Sequence, residues 1–285
     1  MSYTCFDVDI SDNVAHIKMI RPEKRNSMNP EFWDELPAIV RDIDENARAR
    51  VIILSSTGPH FSSGLDISTF LGGGATDERD EATRRSERIR RGAGFYRNVQ
   101  RMQDSFSCLE DCRLPVLAAI QGGCIGGGVD LTSACDIRYA SSDAFFTIFE
   151  INIGMTADVG TFPRLVKLIP EGIVRELAYT GRRMPADEAQ SVGLVNRVFA
   201  DQETMLEEVR KVALEIASKA PLAVYGCKRL INYSRDHTTA DGLDYISIWN
   251  ASMLQPEEMA EAMTANREQR AGQFVDLPKI RTTSK

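Results

Sequence analysis

Two short apolar runs, each opening straight into a glycine-bearing loop, constrain this 285-residue chain most. Val51 to Leu54 (VIIL) leads into His60-Phe61-Ser62-Ser63-Gly64-Leu65-Asp66-Ile67. Leu114 to Ile120 (LPVLAAI) leads into Gln121-Gly122-Gly123-Cys124-Ile125-Gly126-Gly127-Gly128-Val129-Asp130. Apolar runs this short, bounded by turn signals, read as buried strands. Helical patterns lie between and after them. Strand–helix repeats of this kind specify an α/β core.

The flanking segments fit that core. Phe6 to Ile10 alternates, Val14 to Met19 does so more loosely, and Asp12-Asn13 is a turn signal, so the chain opens with a hairpin. Asn29-Pro30 reads as an N-cap and first helical residue. Phe32, Leu36, Ile39, Val40 and Ile43 then recur at helical spacing. A charged helix is expected from about Glu81 to Leu109. The stretch from Gly72 to Arg91 reads as a mobile connection entering a solvated helix face. A helix beginning near Val129 and strands at Ile137–Ala140 and Ala144–Ile148 follow. From about Pro163 the chain is mainly helical, with Asp201 capping a helix to Lys219 and further helices at Leu243–Met253 and Pro256–Arg270.

Composition narrows the function classes. A net charge of −7 argues against nucleic acid as the main partner. Cys5, Cys108, Cys112, Cys124, Cys135 and Cys227 show no Cys-x-x-Cys pair, and with three histidines no zinc spacing emerges, so no metal is expected. His16, His60 and His237 have no recognisable Ser or Cys partner for a triad. No apolar run is long enough for a membrane span, and the N-terminus shows neither a signal peptide nor a transit peptide. The ending Thr283-Ser284-Lys285 is one Leu short of a Ser-Lys-Leu peroxisomal address.

Both glycine loops follow strand ends, where open α/β sheets place ligands. Glycine lets backbone N–H groups approach a ligand closely, and a helix starting at Gly126-Gly127 aims its free N–H groups outward. Two such groups converging on one oxygen make an oxyanion hole. The same glycines are equally compatible with tight turns and close packing. The second loop fits neither a dinucleotide-binding nor a P-loop spacing.

Three carboxyls sit among apolar neighbours: Asp130, Glu150 and Asp158. Buried carboxyls are costly unless protonated, paired or useful. Their raised pKa values suit acid–base work near neutral pH. From spacing alone, a surface Asp, a strand-end Glu and a loop Asp explain them as well.

Together these segments resemble the crotonase, or enoyl-CoA hydratase/isomerase, family over nearly the whole chain. The resemblance rests on Arg21-Pro22-Glu23-Lys24-Arg25-Asn26-Ser27-Met28-Asn29, Phe61 to Asp66, Gly126 to Leu131, Ala134 to Ala140, and Ala220 to Val224 with Lys228. It implies a ββα spiral core, expected over residues 1–200, and a C-terminal helical trimerisation region over 201–285. A homotrimer or homohexamer follows. It implies an acyl-CoA thioester as substrate, with coenzyme A part of that substrate and no separate cofactor. It implies an oxyanion hole from the N–H groups of Ser63 and Gly127, and substrate contacts along Ser63, Gly64, Leu65, Asp66, Ile67 and Gly127. Ser62-Ser63 departs from the Ala-rich versions common in the family.

The acids carry the finer resemblance. Family hydratases have two glutamates at the positions of Asp130 and Glu150. Here the first is Asp, and Asp158 is added. That combination resembles the Δ3,5-Δ2,4-dienoyl-CoA isomerase branch, which converts 3,5-dienoyl-CoA to 2,4-dienoyl-CoA by moving a proton from C2 to C6. Glu150 and Asp158 are the expected proton-transfer pair, in unspecified order, and Asp130 a supporting acid. Enoyl-CoA hydratase and a non-catalytic scaffold are the alternatives. The expected compartment is peroxisomal, with cytoplasmic or mitochondrial as alternatives.

Overall fold

The structure, a computed structural model, describes residues 3–66 and 81–280. Ile67, the stretch 72–80 and the ending Thr283-Ser284-Lys285 lie outside the described residues.

The hairpin is present as β1 (Phe6–Ser11) and β2 (Val14–Met19), paired antiparallel from Phe6–Met19 to Ser11–Val14. Asp12 and Asn13 both take positive φ, as the two-residue turn demands. β3 (Val51–Ser56), buried throughout, pairs parallel with β2. β4 (Val116–Ile120) and β6 (Ile137–Ser141) extend the parallel sheet, and β9 (Arg197–Phe199) forms its far edge. A second, smaller sheet holds β5 (Gly123–Ile125), β7 (Phe145–Thr147) and β8 (Met184–Pro185). A bridge between Ser62 and Cys124 brings the first glycine loop to the edge of the smaller sheet.

Each turn of the chain therefore repeats one pattern: a strand in the large sheet, a short strand in the small sheet, then a helix. β4, β5 and α3 (Gly127–Ser133) make one such turn. β6, β7 and the helices α4 (Thr161–Leu165) and α5 (Glu171–Thr180) make the next, before α6 (Ala186–Ser191) returns the chain to β9. This is the expected ββα spiral. β8 and β9 span two and three residues, too short to leave a readable periodicity.

α1 (Pro30–Glu45) starts at Asn29, whose side chain accepts from the Phe32 N–H at 3.1 Å. Its buried stripe meets α2 (Glu81–Asp111) through an aromatic cluster, with Trp33 and Phe106 centroids 5.3 Å apart. α7 (Gln202–Ala217), capped by Asp201, lies beyond the boundary expected at residue 200. Yet its Met205, Val209, Ala213 and Ala217 pack with Val51, Ile53, Leu117 and Ala119 on the sheet's other face. The packed core thus extends through α7. α8 (Pro221–Asp236), α9 (Thr239–Met253) and α10 (Pro256–Glu268) form the C-terminal helical region. No helix among the described residues is long and apolar enough to cross a membrane.

Candidate active site

The two glycine loops meet because they are hydrogen-bonded to each other, and the first is also hydrogen-bonded to residues 25–28. The Ser62 N–H donates to the Gly123 carbonyl at 3.1 Å, and the Ile125 N–H donates back to the Ser62 carbonyl at 3.0 Å. His60 Nδ1 accepts from the Gly123 N–H at 3.0 Å, a structural link rather than a catalytic one. The Met28 N–H donates to the Gly64 carbonyl at 2.8 Å. Ser62 locks the turn: its hydroxyl donates to the Asn26 carbonyl at 2.8 Å and accepts from the Gly64 N–H at 3.1 Å. The departure at Ser62-Ser63 thus has a local role, carried by Ser62.

These pairings correct one expectation. The Ser63 N–H points away from any shared oxygen and donates to the Arg25 carbonyl at 2.9 Å. It is already used and cannot serve an oxyanion hole. The N–H groups of Leu65 and Gly127 find no acceptor among the described residues. Gly127 is the first residue of α3, where a helix leaves its N–H groups unpaired. The Leu65 nitrogen lies 3.7 Å from where a Gly127 Cβ would stand, so the two amides are neighbours. Gly64 makes this approach possible, since its φ of +77° directs the chain so that the next N–H faces α3.

A cavity opens beside these amides. Ser63, Leu65, Gly126 and Gly127 line one side, and Asp130, Glu150 and Asp158 all reach it. Trp33, Phe95, Met102, Phe149, Ile153 and Met155 supply apolar walls. Asp66 does not line it: its Oδ2 accepts from Ser27 Oγ at 3.2 Å and lies 3.8 Å from Arg21. The other expected contact residue, Gly64, acts through its backbone.

Each acid is positioned differently. Asp130, in the first turn of α3, is 1% exposed, and its Oδ1 accepts from both the N–H and the hydroxyl of Thr161, at 2.6 and 2.7 Å. Burial pushes its carboxyl up to about 6 although Thr161 pulls the other way. Glu150 follows β7, whose pairing with β5 sets Thr147 opposite Ile125. This puts the Glu150 carboxyl over Gly126, where an added Cβ would lie 2.9 Å from Oε1. Glu150 Oε2 is buried with no hydrogen-bond partner among the described residues. Burial first, and the Asp130 charge second, push this carboxyl up to about 7. Burial raises Asp158 too.

Sequence reasoning brought the three acids and Gly127 to one place. It missed Leu65 as a donor, Thr161 as the Asp130 partner, and the apolar walls. The residue following Gly64 in the loop was the only available signal for Leu65.

The family model of enoyl-CoA hydratase/isomerase matches residues 9–277. The human mitochondrial Delta(3,5)-Delta(2,4)-dienoyl-CoA isomerase is 42% identical over 269 residues, covering 94% of this chain and 80% of that protein. The peroxisomal protein of the same name from Arabidopsis thaliana is 39% identical over 266 residues, covering 93% of this chain and 94% of that one. Among solved structures, an enoyl-CoA hydratase from Bacillus anthracis superposes with a TM-score of 0.83 at 29% identity, covering 95% of this chain and 99% of that one. With the match spanning spiral, loops and C-terminal helices alike, the chain belongs to the enoyl-CoA hydratase/isomerase family.

Proposed function

We propose that the protein is a Δ3,5-Δ2,4-dienoyl-CoA isomerase of fatty-acid β-oxidation. The observation that carries this is three carboxyls with raised pKa values in one apolar cavity beside two unpaired amides. The relatives bearing that activity in their names support it. Leu65 and Gly127 donate to the thioester oxygen, so charge arriving there meets fixed dipoles. Glu150, over Gly126 and next to that hole, faces C2, one bond from the thioester carbon. Its ionised form takes the C2 proton, and the electron pair moves through the diene into a conjugated trienolate. Asp158, the other acid of the proton-transfer pair in the cavity, serves C6 and delivers a proton there. Glu150 ends protonated and Asp158 ionised, and proton exchange with solvent resets them. Asp130 stays a supporting acid whose charge raises Glu150. Coenzyme A enters as part of the substrate, with no separate cofactor.

Copies of the chain associate through the C-terminal helical region as a homotrimer or homohexamer. Leu243, Ile248 and Met263 on α9 and α10 are 62, 55 and 66% exposed, an apolar surface suited to an interface. Light scattering on the purified protein measures the assembly. The compartment is an organelle of the kind named for the human and Arabidopsis relatives, and imaging of the tagged protein decides between mitochondrion and peroxisome.

Hydratase is the second reading, because Asp130 and Glu150 alone form a plausible water-activating pair. Purified protein mixed separately with a 3,5-dienoyl-CoA and a 2-enoyl-CoA separates the two. The isomerase reading expects a rapid rise in the absorbance of the 2,4-dienoyl thioester. Fast hydration without that rise would sink it. A non-catalytic scaffold would do neither.

A further inference from the structure

We infer that Gln103 and Arg164 are positioning residues for Asp158, fixing where the second acid meets the acyl chain; this rests on the isomerase reading above. The Asp158 carboxylate receives no side-chain hydrogen bond among the described residues, so its direction is set by its backbone. That backbone is pinned from α2. Gln103 Nε2 donates to the Asp158 carbonyl at 2.7 Å. Arg164 donates from Nη1 to the Val159 carbonyl at 3.4 Å.

Arg164 is itself held by the same helix. Its Nε donates to Glu110 Oε2 at 2.7 Å and its Nη2 to Ser107 Oγ at 3.1 Å. The Arg164–Glu110 pair is 11 and 17% exposed. Largely desolvated charge pairs with extra hydrogen bonds hold geometry better than surface pairs, which are worth little. Gln103, Ser107 and Glu110 recur at helical spacing on one face of α2.

Gly160 completes the clip. Its φ is +137°, and an added Cβ would lie 1.8 Å from Arg164 Nη1. Only glycine lets the guanidinium lie against the chain there. The next residue, Thr161, grips Asp130. α2 also supplies Phe95 and Met102 to the cavity wall. One helix therefore carries both the surface the acyl tail meets and the pins that aim Asp158.

The test is Gln103→Leu, which removes the donor and keeps the bulk, read by two rates on the same 3,5-dienoyl-CoA. One is formation of the 2,4-dienoyl product. The other is exchange of the C2 proton with deuterated solvent, which needs Glu150 and the oxyanion hole but not Asp158. Displacements of about 1 Å cost about 10²-fold in rate, so kcat for product formation falls by about that factor while C2 exchange stays at the wild-type rate. Arg164→Lys, which keeps the charge opposite Glu110 and loses the fork, shows the same split to a smaller degree, and serves if Gln103→Leu fails to fold. Parallel loss of both rates, or no loss of either, overturns the inference. A wild-type protein that exchanges C2 but forms no 2,4-dienoyl product overturns the isomerase reading, and the inference with it.

Discussion

Gly64 and Gly127 approach so closely that a Cβ built on Gly64 would lie 2.9 Å from the Gly127 nitrogen and 2.6 Å from the Ile125 carbonyl oxygen. That approach brings the Leu65 and Gly127 amides together. Gly64→Ala adds both this clash and a side chain at φ +77°. It should open the hole and lower kcat by about 10²–10³-fold, the loss typical for one oxyanion donor. Steady-state kinetics on the 3,5-dienoyl-CoA checks it, and an unchanged kcat would remove the hole from this junction.

The two loop serines should behave differently. Ser62 is fully buried and bridges Asn26 and Gly64, so Ser62→Ala leaves a buried carbonyl and N–H unpaired. The expected cost is about 1–3 kcal/mol. Ser63→Ala removes a hydroxyl with no hydrogen-bond partner among the described residues and should stay within about 0.5 kcal/mol of wild type. Urea midpoints of the two variants check the order.

Glu150 makes stability depend on pH. Its carboxyl is raised from 4.5 to about 7 in the folded protein. Between those values the native state binds more protons than the unfolded chain, so stability falls as pH rises. Its stabilising protonation is fully present below 4.5 and lost as pH passes about 7. Glu150→Gln should therefore melt higher than wild type above that range, with the advantage shrinking toward its lower end. Thermal melts across the range check the sign, and an advantage that grows toward acid would contradict it.

Lys228 ties α8 to the body. Its ammonium donates to the Leu109 carbonyl at 2.6 Å and the Leu114 carbonyl at 2.8 Å, and pairs with Asp136 at 2.9 Å. Lys228→Ala leaves these acceptors short of a buried cation and should cost about 3–5 kcal/mol. The folded fraction should keep its turnover, since Lys228 lines no part of the acid cavity. Denaturation curves paired with activity per folded molecule check both parts.

What was legible in the sequence follows the range of the forces involved. The hairpin, the VIIL strand and the Asn29 and Asp201 caps are written in adjacent residues, so alternation and capping chemistry revealed them. The three acids stood out because charge among apolar neighbours is costly. Leu65 rather than Ser63 offers the free N–H because Arg25 takes the Ser63 N–H, a pairing made only when the chain folds. Gln103, Thr161 and Arg164 were invisible for the same reason: each acts on an acid brought close by the spiral. The boundary at residue 200 cut before α7, whose stripe has meaning only once the sheet's second face exists.

The most direct test of a two-acid shift from C2 to C6 is where deuterium lands when wild-type protein turns over a 3,5-dienoyl-CoA in heavy water. The account predicts a 2,4-dienoyl-CoA carrying deuterium at C6, seen by mass spectrometry and NMR, and loss of that product in both Glu150→Gln and Asp158→Asn. Deuterium at C4 instead, or a hydroxyacyl product from added water, would contradict it.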